Sequence, residues 1–138
     1  MSLLTLDLGE KRVGVAISRS EIIAEPLKTL NFDQDFYQEL KNICQQESVE
    51  KIVVGLPKSL SGEINQQEKR IREIAAKIAK ATKLKTELFD ESFSSKMAEE
   101  RGALDVDQEA AVIILEGYLK EKSQWKKPVV SVRSWLWF

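Results

Sequence analysis

Three places in the chain put carboxylates where metal or acid–base chemistry could be done: Asp7, the pair Asp90-Glu91, and Asp107. Asp7 ends the apolar run Leu3-Leu4-Thr5-Leu6, and Gly9 follows it, where a missing side chain lets a ligand or a second backbone come close. An acid buried in such a run without a partner would be costly or would neutralise itself. A bound cation, or a sheet end open to water, removes that cost; a simple turn-forming role for Asp7 is the competing explanation. Asp90-Glu91 closes another apolar run and, taken alone, reads as a solvated strand end. Asp107 stands just before the apolar stretch Ala110-Ala111-Val112-Ile113-Ile114-Leu115. Asp105 with Gln108 fits a capping box, which leaves Asp107 in the first helical turn. There the helix dipole alone would favour it by about 0.3–1 kcal/mol.

Taken together, acids on two strand ends and one helix start suit a hard divalent cation. Mg²⁺ or Mn²⁺ prefers oxygen ligands and offers its remaining positions to phosphate oxygens. One ion would do so; two ions about 3.5–4 Å apart also activate water and stabilise the leaving oxygen of a phosphodiester.

Composition narrows the chemistry further. The chain contains 0 histidines and a single cysteine, Cys44. No Ser-His-Asp or Cys-His arrangement can exist, no internal disulfide can form, and no zinc site is expected. Cys44 falls in a predicted helix and reads as core packing, which fits a reducing cytoplasm. Apolar residues make up 43% and charged residues 31% of 138, the profile of one globular domain with a core of its own. Neither a signal peptide nor a membrane span is predicted. The net charge of −1 does not advertise nucleic-acid binding, but clustering of charge matters more than its sum.

The elements that must position these acids follow from periodicity. Residues 3–8 and 13–18 read as paired strands joined by a turn at 9–12. A third strand over about 22–30 carries Ile22, Ile23, Leu27 and Leu30, and Pro26 makes it an edge strand. Phe32, Phe36, Leu40, Ile43 and Cys44 repeat at helical spacing over about 33–46, with Asp33 as N-cap. The run 51–57 suits a central strand covered on both faces. A helix follows over about 65–81, with Ile71, Ile74, Ala75, Ile78 and Ala79 in one stripe and Lys69, Arg70, Lys77 and Lys80 off it. Next come a strand at 84–89, a short helix from Ser94 or Ser95 to about Arg101, and a last helix over about 106–121. Three antiparallel strands followed by strands separated by helices make an α/β domain. It is a mixed five-stranded sheet, antiparallel then parallel, with helices on both faces. Ligands gather at the carboxyl ends of strands in such sheets.

Gly9, Lys11, Arg12 and Lys58 stand beside those strand ends as candidate phosphate contacts, and Ser94 and Ser95 at a helix start could serve the same end. Lys120, Lys122, Lys126 and Lys127 interleave with Trp125 as a second basic cluster, where stacking on unpaired bases competes with a solvated helix end. The tail Trp135-Leu136-Trp137-Phe138 reads as a segment that packs on the domain or on a partner chain.

With these residues assembled, the chain resembles the YqgF/RuvX family of the ribonuclease H-like superfamily. The resemblance rests on segments in one order: Leu6-Asp7-Leu8-Gly9-Glu10-Lys11-Arg12-Val13-Gly14-Val15-Ala16, Ala24-Glu25-Pro26-Leu27-Lys28-Thr29, Ile52-Val53-Val54-Gly55-Leu56-Pro57, Asp90-Glu91-Ser92, and Asp107 with 110–118. It implies a ribonuclease H-like fold over 1–122, with 123–138 an aromatic tail of the same unit or an interaction segment. It also implies a metal-dependent nuclease acting on structured nucleic acid. The substrate would be RNA at the 5′ end of 16S ribosomal RNA, in ribosome biogenesis, or alternatively a branched DNA such as a Holliday junction. A symmetric junction would call for a homodimer. Asp7, Glu91 and Asp107 would be the catalytic acids and metal ligands, with Asp90 as an alternative at the second position. Two departures stand out: Ser92 replaces the arginine usual after the acidic pair, and the connection 102–106 is short. Both leave open a binding module without catalysis. A phosphotransferase, suggested by Asp7-Leu8-Gly9 and the basic turn after it, would need a second domain.

Overall fold

The computed structural model describes residues 2–57, 65–90, 102 and 105–125. Five strands, β1 (Ser2–Leu8), β2 (Arg12–Ser18), β3 (Glu25–Asn31), β4 (Val49–Leu56) and β5 (Lys85–Asp90), form one sheet in the order β3-β2-β1-β4-β5. β1, β2 and β3 pair antiparallel, whereas β4 joins β1 and β5 joins β4 in parallel. The helices are α1 (Phe36–Gln46), α2 (Gln66–Thr82) and α3 (Val106–Trp125). α1 carries the chain from β3 to β4, and α2 carries it from β4 to β5, as parallel neighbours require. No helix among the described residues is long and apolar enough to cross a membrane.

Strand alternation divides the core. Leu4, Leu6, Leu8, Val13, Val15, Ile17, Ile52, Val54 and Leu56 face α1 and α2 and pack with Phe36, Leu40, Ile71 and Ile78. The other face is lined by smaller residues. Leu3, Ala16 and Val53 meet Ala111, Val112, Leu115 and Tyr118 of α3. β4 is covered on both faces from Ile52 to Leu56, as its unbroken apolar run predicts. Cys44 is buried in α1, and burial pushes its thiol up to about 11.

Three expectations need correction. The third strand begins at Glu25, not near 22. Glu21 takes a positive φ of 63°, and the Ser20 hydroxyl oxygen accepts from the backbone N–H groups of Ile22 and Ile23. That turn leaves Ile22 80% and Ile23 64% exposed rather than on the sheet. The edge position forced by Pro26 is as predicted. Helix α1 starts at Phe36 after Asp35, so Asp33 is not its N-cap; Asp33 Oδ1 instead accepts from the N–H of Asp35 at 2.9 Å. α2 has the expected stripe and a true cap, Asn65, whose side chain accepts from the N–H of Glu68. α3 continues to Trp125, past the expected end near 121. The predicted short helix from Ser94 or Ser95 and the segment 126–138 lie outside the described residues.

On the α3 face of β4 and β5, Lys51 pairs with Glu87, and the Tyr118 hydroxyl donates to Glu87 Oε2 at 3.0 Å. Partial burial opposes both charges. The hydrogen bonds and charges they share outweigh it, holding the Glu87 carboxyl below and the Lys51 ammonium above their ordinary values. A depressed carboxylate stabilises the fold above its unfolded pKa and loses that contribution as pH falls through its folded one. We expect Glu87→Gln to cost about 1–2 kcal/mol near neutral pH. That difference should shrink toward zero as pH falls from about 5 to 2, as read by urea unfolding across that range.

Candidate functional site

Asp7 lies on β1 directly across from Gly14 of β2, so their Cα atoms are about 4.5–5.5 Å apart. The rungs Thr5↔Ala16 and Leu3↔Ser18 fix the face, since Leu3 and Ala16 both pack under α3. Asp7 therefore belongs to the α3 side of the sheet, at the carboxyl end of β1. Gly14 is where the helix lands. A Cβ built there would sit 1.8 Å from the Asp107 carbonyl oxygen and 2.3 Å from its carbon. Only glycine permits this approach, and it brings the first turn of α3 onto the strand that pairs with Asp7.

The start of α3 is fastened by Asp105. Its Oδ1 accepts from the N–H of Gln108 at 3.1 Å, so Asp105 fills the predicted cap position. Its Oδ2 accepts from the Thr29 hydroxyl at 2.9 Å. Thr29 is the β3 partner of Gly14, so Thr29, Gly14 and Asp7 share one rung across three strands, and Thr29 holds the cap. Asp107 follows in the first turn and accepts from Arg12 Nε at 2.9 Å, with the two side chains 30% and 65% exposed. Arg12, expected to meet phosphate, is here paired with an expected site acid.

The turn between β1 and β2 is closed by the Gly9 N–H donating to the Arg12 carbonyl at 2.9 Å. A Cβ on Gly9 would lie 2.7 Å from that oxygen. From the opposite face, Arg70 of α2 donates to the carbonyls of Gly9 and Glu10 at 3.1 and 3.4 Å, with its guanidinium 5.1 Å from the Phe32 ring centre. Lys11 is exposed, and its carbonyl accepts from the N–H of Phe32 at 2.8 Å. An open cleft of about 520 Å³ lies beside the turn, lined by Leu8, Glu10, Gln66, Gln67 and Arg70.

The remaining expected site residues fall elsewhere. Asp90 is in register with Leu56, which faces α1 and α2, whereas Phe89 packs toward α3. Asp90 is thus on the opposite face from Asp107. Glu91, Lys58, Ser94 and Ser95 lie outside the described residues. Among the described residues no group of three or more His, Cys, Asp or Glu could hold a metal ion. Asp7 and Asp107 offer only oxygen donors, and the guanidinium on Asp107 shows that this place already accommodates a cation.

Residues 1–121 match the family model described as RuvX, Holliday junction resolvase. The chain belongs to the RuvX family. It is 39% identical to a protein of Thermosynechococcus vestitus named "Putative pre-16S rRNA nuclease", with 95% of each chain covered. A protein of the same name from Caldicellulosiruptor bescii is 38% identical, over 86% of this chain and 96% of that one. The family and these relatives mark the chain as a nuclease, a hydrolase acting on nucleic acid. Among solved structures, Thermus thermophilus RuvC in complex with a Holliday junction substrate has the same fold. Its TM-score is 0.57 at 10% identity, over 89% of this chain and 96% of that one.

Sequence reasoning passed over Gly14, Thr29 and Arg70 as working parts of this RuvX site. Gly14 was findable, because a glycine inside a strand marks a close backbone approach. Thr29 and Arg70 act through contacts 76 and 61 residues apart, which no local pattern shows. Gly14→Ala should displace the start of α3 from β2. We expect a stability loss of about 2–3 kcal/mol. Amide exchange should rise selectively in the first turn of α3, and an unchanged exchange pattern would contradict this account.

Proposed function

We propose that the chain is a divalent-metal-dependent endonuclease that cuts structured RNA, with the 5′ end of precursor 16S ribosomal RNA as its substrate. The observation that carries this reading is the first turn of α3 lying over Gly14, the β2 partner of Asp7, which supports Asp7 and Asp107 acting together. Asp7 and Asp107, joined by Glu91, would hold Mg²⁺ or Mn²⁺. Asp90 drops out of this set because it faces the other way. Bound there, such an ion supplies an activated water and offsets charge on the scissile phosphate. The chain's own residues do the rest. Gly9 lets the turn close tightly on the Arg12 carbonyl, Lys11 and Arg12 attract phosphates, and Arg70 keeps the turn in place from behind. The names of the relatives support ribosomal RNA as substrate. The RuvX description supports a branched DNA as the alternative substrate, and a symmetric junction would suit a homodimer. A cytoplasmic location accompanies either substrate.

The test is cleavage of a labelled precursor 16S fragment and of a four-way DNA junction in Mn²⁺, side by side. Asp7→Asn and Asp107→Asn should each lower cleavage of the RNA by at least about a hundredfold. Melting temperature should change by only a few degrees, since the Arg12–Asp107 pair is exposed and worth about 0–1 kcal/mol. Cleavage that survives both substitutions overturns the assignment. Preference for the junction replaces the substrate, and tight RNA binding without turnover would make the chain a non-catalytic binding module.

A further inference from the structure

We infer that Arg12 is the resident cation of the carboxylate site and that a divalent ion and a nucleic-acid phosphate displace it together. This rests on the site reading above, since it requires Asp107 to be a metal ligand. In the free protein the guanidinium holds Asp107 Oδ2 through Nε at 2.9 Å. The two partners differ in freedom. Asp107 sits in a helical turn anchored by the Gly14 approach and by Asp105, so its position is set by backbone. Arg12 begins a strand beside the Gly9 turn and is 65% exposed, so its side chain can swing without disturbing the core. A guanidinium fork matches a phosphate as well as it matches a carboxylate.

Two consequences follow from charge. While Arg12 occupies Asp107 Oδ2, an incoming dication competes with it for that carboxylate and meets a like charge a few ångströms away, so metal binding in the free protein is weakened. When a phosphate takes the guanidinium, the carboxylate is released and the repulsion is shared with an anion. Nucleic acid then raises metal affinity, and by reciprocity metal raises nucleic-acid affinity by the same factor. Arg12 acts as a positioning residue that ties filling of the metal site to arrival of the strand.

Titration of Mn²⁺ into the nucleic-acid-free protein by calorimetry tests this on wild type, Arg12→Gln, Arg12→Lys and the double variant Arg12→Gln/Asp107→Asn. Arg12→Gln should bind Mn²⁺ about five- to tenfold more tightly than wild type, with Arg12→Lys between them. The double variant should lose that gain. A phosphorothioate RNA hairpin that resists cleavage should tighten Mn²⁺ binding more in wild type than in Arg12→Gln. Equal Mn²⁺ affinity in wild type and Arg12→Gln, lost with Asp107, overturns the displacement while leaving the metal site intact. A gain that persists in the double variant places the ion elsewhere and overturns it too. Absence of Mn²⁺ binding in every protein overturns the site reading itself. Circular dichroism of each variant keeps a folding defect from imitating any of these results.

Discussion

Everything at the site depends on one backbone contact, the approach of the first turn of α3 to Gly14. It fixes how far the last helix sits from the sheet, and the carboxylate of Asp107 goes where that helix goes. The constraint is steric and therefore stiff: the space a Cβ would need at Gly14 is already held by the Asp107 carbonyl. The Asp105–Thr29 hydrogen bond then sets the lateral position of the same turn, from the neighbouring strand. A helix N-terminus located in two directions by its own backbone and cap can present a side chain reproducibly, which a site built on a loop could not do as well.

The electrostatics follow from that geometry. Arg12 and Arg70 act on the same turn but do different work. Arg70 donates to main-chain carbonyls from behind the sheet, and it stands over an aromatic ring. That is a fixing interaction, partly shielded from water. Arg12 reaches an acid from the solvent side, where a single exposed pair adds little to stability. A contact that adds so little to the fold is cheap to exchange, which is the property a guarded binding site needs. Away from this end of the sheet, Lys51, Glu87 and Tyr118 form a polar group that ties α3 to β4 and β5. It stabilises the layers without touching the acids.

Much of this architecture is legible in the residues. The apolar run at 51–57 marks β4 as central, Pro26 marks β3 as an edge, and the stripe from Ile71 to Ile78 marks α2. These are local signals, carried by side-chain period or by a missing N–H. The errors are local too. Ile22 and Ile23 look like strand residues by type, but Ser20 and the left-handed Glu21 turn them outward before β3 begins. Asp33 looks like a cap, yet its side chain serves the turn one step earlier. At the site, strand order suggests that Asp7 and the start of the last helix share one sheet end, without fixing it. Which residues hold them there is not readable, because Thr29–Asp105 and Arg70–Gly9 close loops of many residues. Asp90 shows the same limit: that it turns away from α3 depends on the phase of β5, which the register with β4 supplies.

The two faces of the sheet also differ in how they receive sequence change. Against α1 and α2 the strands present Leu, Ile and Val, and a shortened side chain there leaves a void whose cost is paid in stability. Against α3 they present Ala16 near Ala111, Gly14 under the Asp107 carbonyl and Gly55 under Ile114, with the two glycines already at the limit of approach. At Gly14 an added methyl has nowhere to go except to move the helix, and the helix carries Asp107. Drift toward larger residues under α3 would therefore be felt first as a misplaced acid in a chain that still folds. A library built on this scaffold should vary the α1/α2 face for robustness and hold the α3 seam small.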